Sequence, residues 1–330
     1  MTIYLHIGMQ KTGTTSLQRT MAEKREELKS HGILYPSGTV GLGVQDRDAH
    51  HYLAHAIRGR RERHSPDVPF ELLDKHVEAL HEAAANFVGD VVISSEDFSL
   101  FRERGIQKLR LHLPADTKVI VYLRRQDLWA DALFGQMMKL GRQMTVETFL
   151  GNQRRLLDYS ALLEPWAAAF GPENIIVRPY EGAASDDLFR DFCTVIGRAS
   201  AVVVSPEVRR DNVSLTQKQT ELLDLVGNDA ARKTARKDFE RANVNSRKAE
   251  GLQHLSQEQG KALLREYQAG NQEVARRYLG RENLFENLEV ALEATREGIS
   301  YRDLSILIGA VSRSLHREIA RLKKLAAKIG

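Results

Sequence analysis

Nine residues near the start of the chain constrain its fold more than any other feature. Gly8-Met9-Gln10-Lys11-Thr12-Gly13-Thr14-Thr15-Ser16 follows an apolar run, Ile3 to Ile7, and leads into good helix formers from Thr14 to Ser30. Gly8 and Gly13 let the backbone turn sharply. A turn that opens a helix presents unpaired N–H groups and the positive end of the helix dipole, so a phosphate or sulfate is stabilised there without special devices. Hydroxyls at Thr12, Thr14, Thr15 and Ser16 add donors, and Lys11 supplies a point charge inside the turn. A buried strand, a glycine turn and a helix in that order point to an α/β chain.

The remaining strand candidates agree. Val91 to Ser95, Lys118 to Leu123 and Asn174 to Pro179 are short and rich in β-branched residues. Val119-Ile120-Val121-Tyr122-Leu123 is apolar on both faces, as a central parallel sheet covered on both sides by helices requires. Asp127 to Leu140 spaces Leu128, Ala132, Leu133 and Met137 as a helix does. Beyond Leu215 only helical patterns occur, in Gln217 to Val226, Gln257 to Leu279 and Leu304 to Ile329. We therefore expect an α/β core in residues 1–215 and a helical C-terminal region in 216–330 that packs on the core or mediates assembly. A further break is possible in the polar stretch Glu250 to Gln253.

Composition excludes several classes. With 330 residues, 42% hydrophobic and 28% charged, the chain can bury a large core in one or two domains, which rules out fibres and long disorder. The longest apolar stretches, such as Leu304 to Val311, fall far short of the roughly 20 residues that span a bilayer. The first residues show no basic leader and no apolar h-region, so secretion by that route is not expected. A single cysteine, Cys193, cannot form an internal disulfide and sits in an apolar helical segment, which fits a cytoplasmic protein. The net charge of +4 allows a positive field around a cleft and suits small anionic ligands. No dense basic stripe or recognised module suggests nucleic-acid binding.

Gly8 and Gly13 meet the glycine spacing of the Walker A loop, G-x-x-x-x-G-K-[ST], but Thr14 replaces its lysine and Lys11 lies three places earlier. The strand that ends at Leu123 runs into Arg124 and Arg125, the opposite charge from the aspartate that helps hold magnesium in such proteins. A metal-bound nucleoside triphosphate fits this pattern poorly. Two arginines at a strand end suit a second anionic group. The expected ligand is doubly anionic and needs no metal.

These residues resemble the P-loop sulfotransferases that use 3′-phosphoadenosine 5′-phosphosulfate (PAPS), the bacterial, carbohydrate-sulfotransferase-like branch in particular. Leu5-His6-Ile7-Gly8 with Lys11-Thr12-Gly13-Thr14-Thr15-Ser16-Leu17-Gln18 is similar to the family's 5′-phosphosulfate loop, and Val121-Tyr122-Leu123-Arg124-Arg125-Gln126-Asp127 to its 3′-phosphate element. Further similarity lies in Ile93-Ser94-Ser95-Glu96, in Val177-Arg178-Pro179-Tyr180-Glu181 with Asp191-Phe192, and in Asn212-Val213-Ser214-Leu215.

The resemblance implies a P-loop NTPase-like three-layer fold and transfer of a sulfuryl group from PAPS to a hydroxyl of a carbohydrate or other small acceptor, with PAP as product. It implies Gln10, Lys11, Thr12, Gly13, Thr14, Thr15 and Ser16 around the phosphosulfate, and Arg124 with Arg125 at the 3′-phosphate. Lys11 would serve the leaving 5′-phosphate, and Glu96 the acceptor proton, the alternative being that Glu96 caps the helix beginning near Ser99 or pairs with a basic neighbour. Asn212 and Ser214 would touch the nucleotide or cap the following helix. The family usually has a serine eight residues after the 3′-phosphate arginine; here that position is Ala132, and Arg209 or Arg210 would compensate. Two rival readings remain at this point: a nucleotide-dependent kinase, and a non-catalytic PAP- or PAPS-binding or assembly protein.

Other residues invite more than one reading. His50, His51 and His55 cluster with Asp46 and Asp48 and read as acceptor ligands, surface histidines or, with no cysteine or HExxH pattern beside them, a poor metal site. His6, on the first strand, reads as a hydrogen-bonded core residue ahead of an alternative base to Glu96, and Trp129 as a core aromatic or a neighbour of the adenine, with Tyr180 open to the same two readings. The C-terminal segment repeats Ile308, Val311, Leu315, Ile319, Leu322, Ala326 and Ile329 at helical spacing among Arg and Lys. Such a basic amphipathic helix packs on its own domain, pairs in a homodimer or lies on an anionic membrane surface.

Overall fold

In the computed structural model, the described residues are 1–43, 47–58, 70–140, 142, 144–198, 219, 222–223, 226, 229–243, 252, 254–287, 289 and 301–329. Five strands form one parallel sheet: β1 (Ile3–His6), β2 (Ile33–Leu34), β3 (Asp90–Ser94), β4 (Lys118–Leu123) and β5 (Ile175–Pro179), in the spatial order β2-β3-β1-β4-β5. Leu5 stands opposite Ile93 on one side and Val119 on the other, while Val121 pairs with Val177. Four of the five strands lie where the apolar runs place them. The edge strand β2 has only two residues, too few for any periodicity to show.

The crossovers are helical, as parallel pairing demands. α1 (Thr14–Glu23) and α2 (Arg25–Ser30) join β1 to β2. α3 (His51–Arg58) and α4 (Phe70–Ala85) join β2 to β3. A 3₁₀ turn, Glu96–Leu100, and α5 (Glu103–Arg110) lead to β4. α6 (Gln126–Lys139), α7 (Val146–Leu157) and α8 (Tyr159–Phe170) separate β4 from β5, which is followed by α9 (Ala183–Asp186) and α10 (Leu188–Val195). The helical run from Thr14 to Ser30 thus breaks at Lys24, whose backbone leaves helical geometry.

Ile120 and Tyr122 face a cluster that contains Leu17, Met21, Phe189, Phe192 and Cys193, so α1 and α10 cover one side of the sheet. Val119, Val121 and Leu123 alternate with them, point to the opposite side and are just as fully buried. A sheet with no solvated face explains the unbroken apolar strands. Burial in this layer pushes the Cys193 thiol up to about 12, so it stays a neutral core residue.

The chain forms two compact units interleaved along the sequence. The first comprises Met1–Trp129, Gly151–Arg209 and Leu263–Leu288, and the second Ala130–Leu150, Arg210–Ala262 and Glu289–Gly330. All five strands belong to the first unit, and among the described residues after 215 the secondary structure is helical apart from a single bridge residue, Leu252. No helix among the described residues is long and apolar enough to cross a membrane.

In the second unit the C-terminal helix Tyr301–Ile329 packs on the helix Asp229–Asn243. Ile306, Leu307 and Ala310 meet Ala235 and Phe239, and Arg313 pairs with Asp238 at 2.5 Å. The helix thus packs within its own unit through Ile306, Leu307 and Ala310. The repeat Ile308, Val311, Leu315, Ile319 and Leu322 stays exposed, because the small residues Ala310 and Ser314 let the neighbouring helix approach from the other side.

Candidate functional site

β3, β1 and β4 are neighbours, so their C-terminal ends deliver the loop after Ile7, the Ser95–Glu96 turn and Arg124 to one edge of the sheet. The strand order reverses at this point, and in open α/β sheets that is where ligands bind.

The loop holds its shape through its own backbone. Gly8, Lys11 and Gly13 all have positive φ, at 38°, 64° and 75°. For Lys11 this left-handed conformation costs on the order of 1 kcal/mol or more, a strain that proteins keep where a side chain must be aimed. Three successive carbonyls are occupied from within. Thr12 Oγ1 donates to the Met9 carbonyl at 2.6 Å and Thr14 Oγ1 to the same oxygen at 2.9 Å. The Trp129 indole N–H donates to the Gln10 carbonyl at 2.9 Å, and Arg124 Nη1 to the Lys11 carbonyl at 3.1 Å.

With those carbonyls held, the loop and the first turn of α1 direct N–H groups outward. Thr12 and Thr14 are buried, and their hydroxyl hydrogens serve Met9, so what they offer an anion is backbone N–H rather than side-chain O–H. Thr15 is exposed, while Gln10, Lys11, Gly13 and Ser16 are half-buried.

Neighbours press closely on the two glycines. A Cβ on Gly13 would stand 2.9 Å from Leu188 Cδ2 and 3.1 Å from the Tyr180 hydroxyl. One on Gly8 would stand 3.0 Å from Thr14 Cγ2 and 3.2 Å from Glu96 Cα. Glu96 therefore lies directly against the loop. Burial raises its pKa above the ordinary value; the charge of His51 opposes this, Asp97 adds to it, and Lys11 opposes it again.

The two arginines after β4 part company. Arg124 contacts the loop, and its own carbonyl accepts from the buried Tyr159 hydroxyl. Arg125 is only 6% exposed; its Nε and Nη2 grip both oxygens of Asp127 at 2.8 Å, and Nη1 donates to the Asn287 carbonyl at 2.7 Å. This corrects the expected arginine pair: the Arg125 guanidinium is committed to a buried internal ion pair, and Arg124 alone of the two faces the loop. Arg209, Arg210, Asn212 and Ser214 lie outside the described residues, as does Asp46. Ala132 is half-buried on α6.

The histidines divide as well. His50 is fully buried, receives the Ser94 N–H on Nδ1 at 3.1 Å, and has its pKa pushed down to about 3 by burial. It fastens the start of α3 to the end of β3, so its expected role as an acceptor ligand is corrected to a core one. His6 likewise is buried beside Ser94 Oγ at 2.8 Å, and burial holds its pKa at about 3. His51 and His55, one turn apart on α3, both reach Asp97, at 3.0 and 3.3 Å, and His51 Nδ1 also lies 2.8 Å from Ser95 Oγ. Burial of Asp97 works against its charge, but the hydrogen bonds and charges of His51 and His55 prevail and hold its carboxyl well below the usual range.

Sequence reasoning singled out neither Asp97 nor Tyr159, quoted Ser95 only as part of a motif, and left Trp129 between a core aromatic and a neighbour of the adenine. Only the adjacency of Asp97 to Glu96 was a signal. The resemblance grouped Arg178 with Asp191, and these pair, with the Tyr122 hydroxyl donating to Asp191 at 2.7 Å. That network ties β5 and β4 to α10.

No family model matches the chain. An uncharacterized protein of Archaeoglobus fulgidus is 26% identical over 226 residues, 63% of this chain. The match spans 58% of that relative's own length. Among solved structures the chain is similar to a sulfotransferase from Alicyclobacillus acidocaldarius, with 19% identity and a TM-score of 0.39 over 71% of this chain and 95% of that one.

Proposed function

We propose that the chain is a sulfotransferase that moves a sulfuryl group from PAPS to a hydroxyl of a carbohydrate or other small acceptor. The observation that carries this reading is a convergence. An anion-binding loop with a strained lysine, a half-buried glutamate pressed against that loop, and an arginine where a metal-binding carboxylate would stand meet at three adjacent strand ends. The donor set fits a doubly anionic nucleotide. Loop N–H groups and Lys11 suit the phosphosulfate, and Arg124 suits the 3′-phosphate.

Bound there, PAPS supplies an activated sulfuryl group and departs as PAP. Lys11 and the first turn of α1 stabilise negative charge that grows at the loop, the form of catalysis in which fixed dipoles contribute most. Glu96, held on the other side of Gly8, accepts the proton that the acceptor hydroxyl gives up. Its raised pKa brings its basicity closer to neutral pH, which improves it as a base provided it is ionised. Arg124 ties the two halves by contacting the Lys11 carbonyl directly.

Calorimetry with PAP, in magnesium and in EDTA, followed by transfer from labelled PAPS to mixed sugars, tests the reading. Binding that is indifferent to EDTA, together with labelled sugar, supports it. Binding of magnesium-ATP with none of PAP would overturn it.

A further inference from the structure

The C-terminal helix Tyr301–Ile329 carries one face that its own unit does not bury. At about 100° per residue, Leu304, Ile308, Val311, Leu315, Ile319 and Leu322 fall within about 80° of its circumference, along about 27 Å of its length. Among the described residues ten large apolar side chains are exposed, and these are six of them; Ile308 is 67% exposed and Leu315 59%. The helix Asp229–Asn243 takes the other side, through Ile306, Leu307 and Ala310. From Leu315 to Lys323 every residue is exposed, so over about two and a half turns no side chain of the helix is buried. A helix of that length without packing is marginal in water, and a continuous apolar stripe marks an interaction surface.

Charge decides what meets the stripe. The helix Asp229–Asn243 and the C-terminal helix together hold twelve Lys and Arg against five Asp and Glu, an excess of seven. The whole chain has a net charge of only +4, so its remainder is net negative and the positive charge is gathered on this pair of helices. Arg321 and Lys323 border the stripe, one on each side. Arg321 also lies 3.4 Å from Glu318, in an exposed bridge that water and salt weaken. A second copy of the chain laid along the stripe would bring the same positive excess against it. A surface of anionic headgroups offsets that excess and takes up the apolar side chains beneath it.

We propose that the C-terminal helix docks on an anionic phospholipid bilayer, lying in the plane of its surface with the stripe from Leu304 to Leu322 at the acyl boundary and Arg321 and Lys323 at the headgroups. The helix is apolar on one side only, so it lies along the bilayer rather than through it. Attachment needs neither nucleotide nor acceptor and is independent of the transfer reaction proposed above.

Flotation of the full chain with vesicles tests this, comparing phosphatidylcholine alone with phosphatidylcholine carrying about 30% phosphatidylglycerol. The mixed vesicles should bind about tenfold more tightly, and the difference should shrink as salt rises. Leu315→Gln with Leu322→Gln should weaken binding to the mixed vesicles about tenfold, because two apolar side chains no longer insert. Arg321→Gln with Lys323→Gln should do so by a similar factor and abolish the salt dependence. All four positions are exposed and Gln is a good helix former, so circular dichroism and the urea midpoint of both variants should match the wild type. Equal affinity for the two kinds of vesicle, binding to neither, or binding untouched by Leu315→Gln with Leu322→Gln overturns the inference. So does a lipid-free dimer, seen by sedimentation, that the same two substitutions dissociate, since it would give the stripe to a second copy of the chain.

Discussion

The two sides of the site are made of different materials. On the loop side, nine consecutive residues present backbone N–H groups, fixed by positive φ at Gly8, Lys11 and Gly13 and by donors to the carbonyls of residues 9 to 11. On the Glu96 side, the chemistry is in side chains, drawn from α3 and the 3₁₀ turn. A backbone site changes little when side chains vary but breaks when a glycine gains a Cβ. A side-chain site can be retuned residue by residue, as choice among acceptors requires.

The largest effects should separate the two sides. Lys11→Ala is expected to lower kcat/KM by about 10²- to 10³-fold and also to weaken PAP, because it removes the positive charge that faces the anion. Glu96→Gln should lower kcat by about 10²- to 10⁴-fold and leave PAP affinity unchanged. Steady-state rates and calorimetry on both variants give the comparison. If Glu96→Gln loses PAP affinity as fully as Lys11→Ala does, the division into two sides is wrong.

Next in size is Gly13→Ala. A φ of 75° and a Cβ 2.9 Å from Leu188 Cδ2 should together cost about 2 kcal/mol, read as a lowered denaturation midpoint and weaker PAP binding. Adding Leu188→Ala removes the close contact but not the unfavourable φ. A double variant that recovers PAP affinity in full would place the sensitivity in packing rather than in the backbone.

A subtler contrast concerns pH. Because burial raises the Glu96 pKa, the acid limb of the rate profile should lie above the ordinary glutamate value and vanish from the residual activity of Glu96→Gln. Asp97→Asn removes the charge that holds His51 and His55 and that raises Glu96 further, so it should move this limb to lower pH while PAP affinity stays level. An unmoved limb would show that Asp97 only braces the turn.

The same difference in materials governs what the sequence reveals. β1, β3, β4 and β5 are legible because burial on both faces leaves a continuous apolar run, and the loop is legible because its residues are contiguous. Arg125 reads as an anion ligand until Asp127 and Asn287 are seen to occupy it; Asn287 is 162 residues away, and no local pattern announces it. The fit of Asp97 between two histidines of α3 likewise depends on a contact 40-odd residues distant. The exposed stripe of the C-terminal helix has another origin. Periodicity marks the larger apolar residues, but close approach between helices favours the small ones, Ala310 and Ser314, on the opposite side.

The smallest predicted effect uses one buried histidine on each side, His6 in β1 and His50 before α3. In the folded chain burial holds both pKa values near 3, whereas an unfolded histidine titrates near 6.5. Between those values the unfolded state takes up protons that the folded state refuses. Stability should therefore be full above about pH 6.5 and fall as pH drops towards 3, by roughly 1 kcal/mol per pH unit for each histidine. Between pH 6.5 and 5 His76 and His112, whose pKa values burial also lowers, add to this slope, whereas the carboxyl of Asp97, depressed in the fold, costs stability only below the ordinary aspartate range. His6→Gln and His50→Gln should each flatten this slope measurably, whatever they do to stability at pH 8. Urea midpoints measured across that interval decide it, and a slope left intact by His50→Gln would mean that its ring is reached by water, and with it the joint between β3 and α3 that supports the acceptor side.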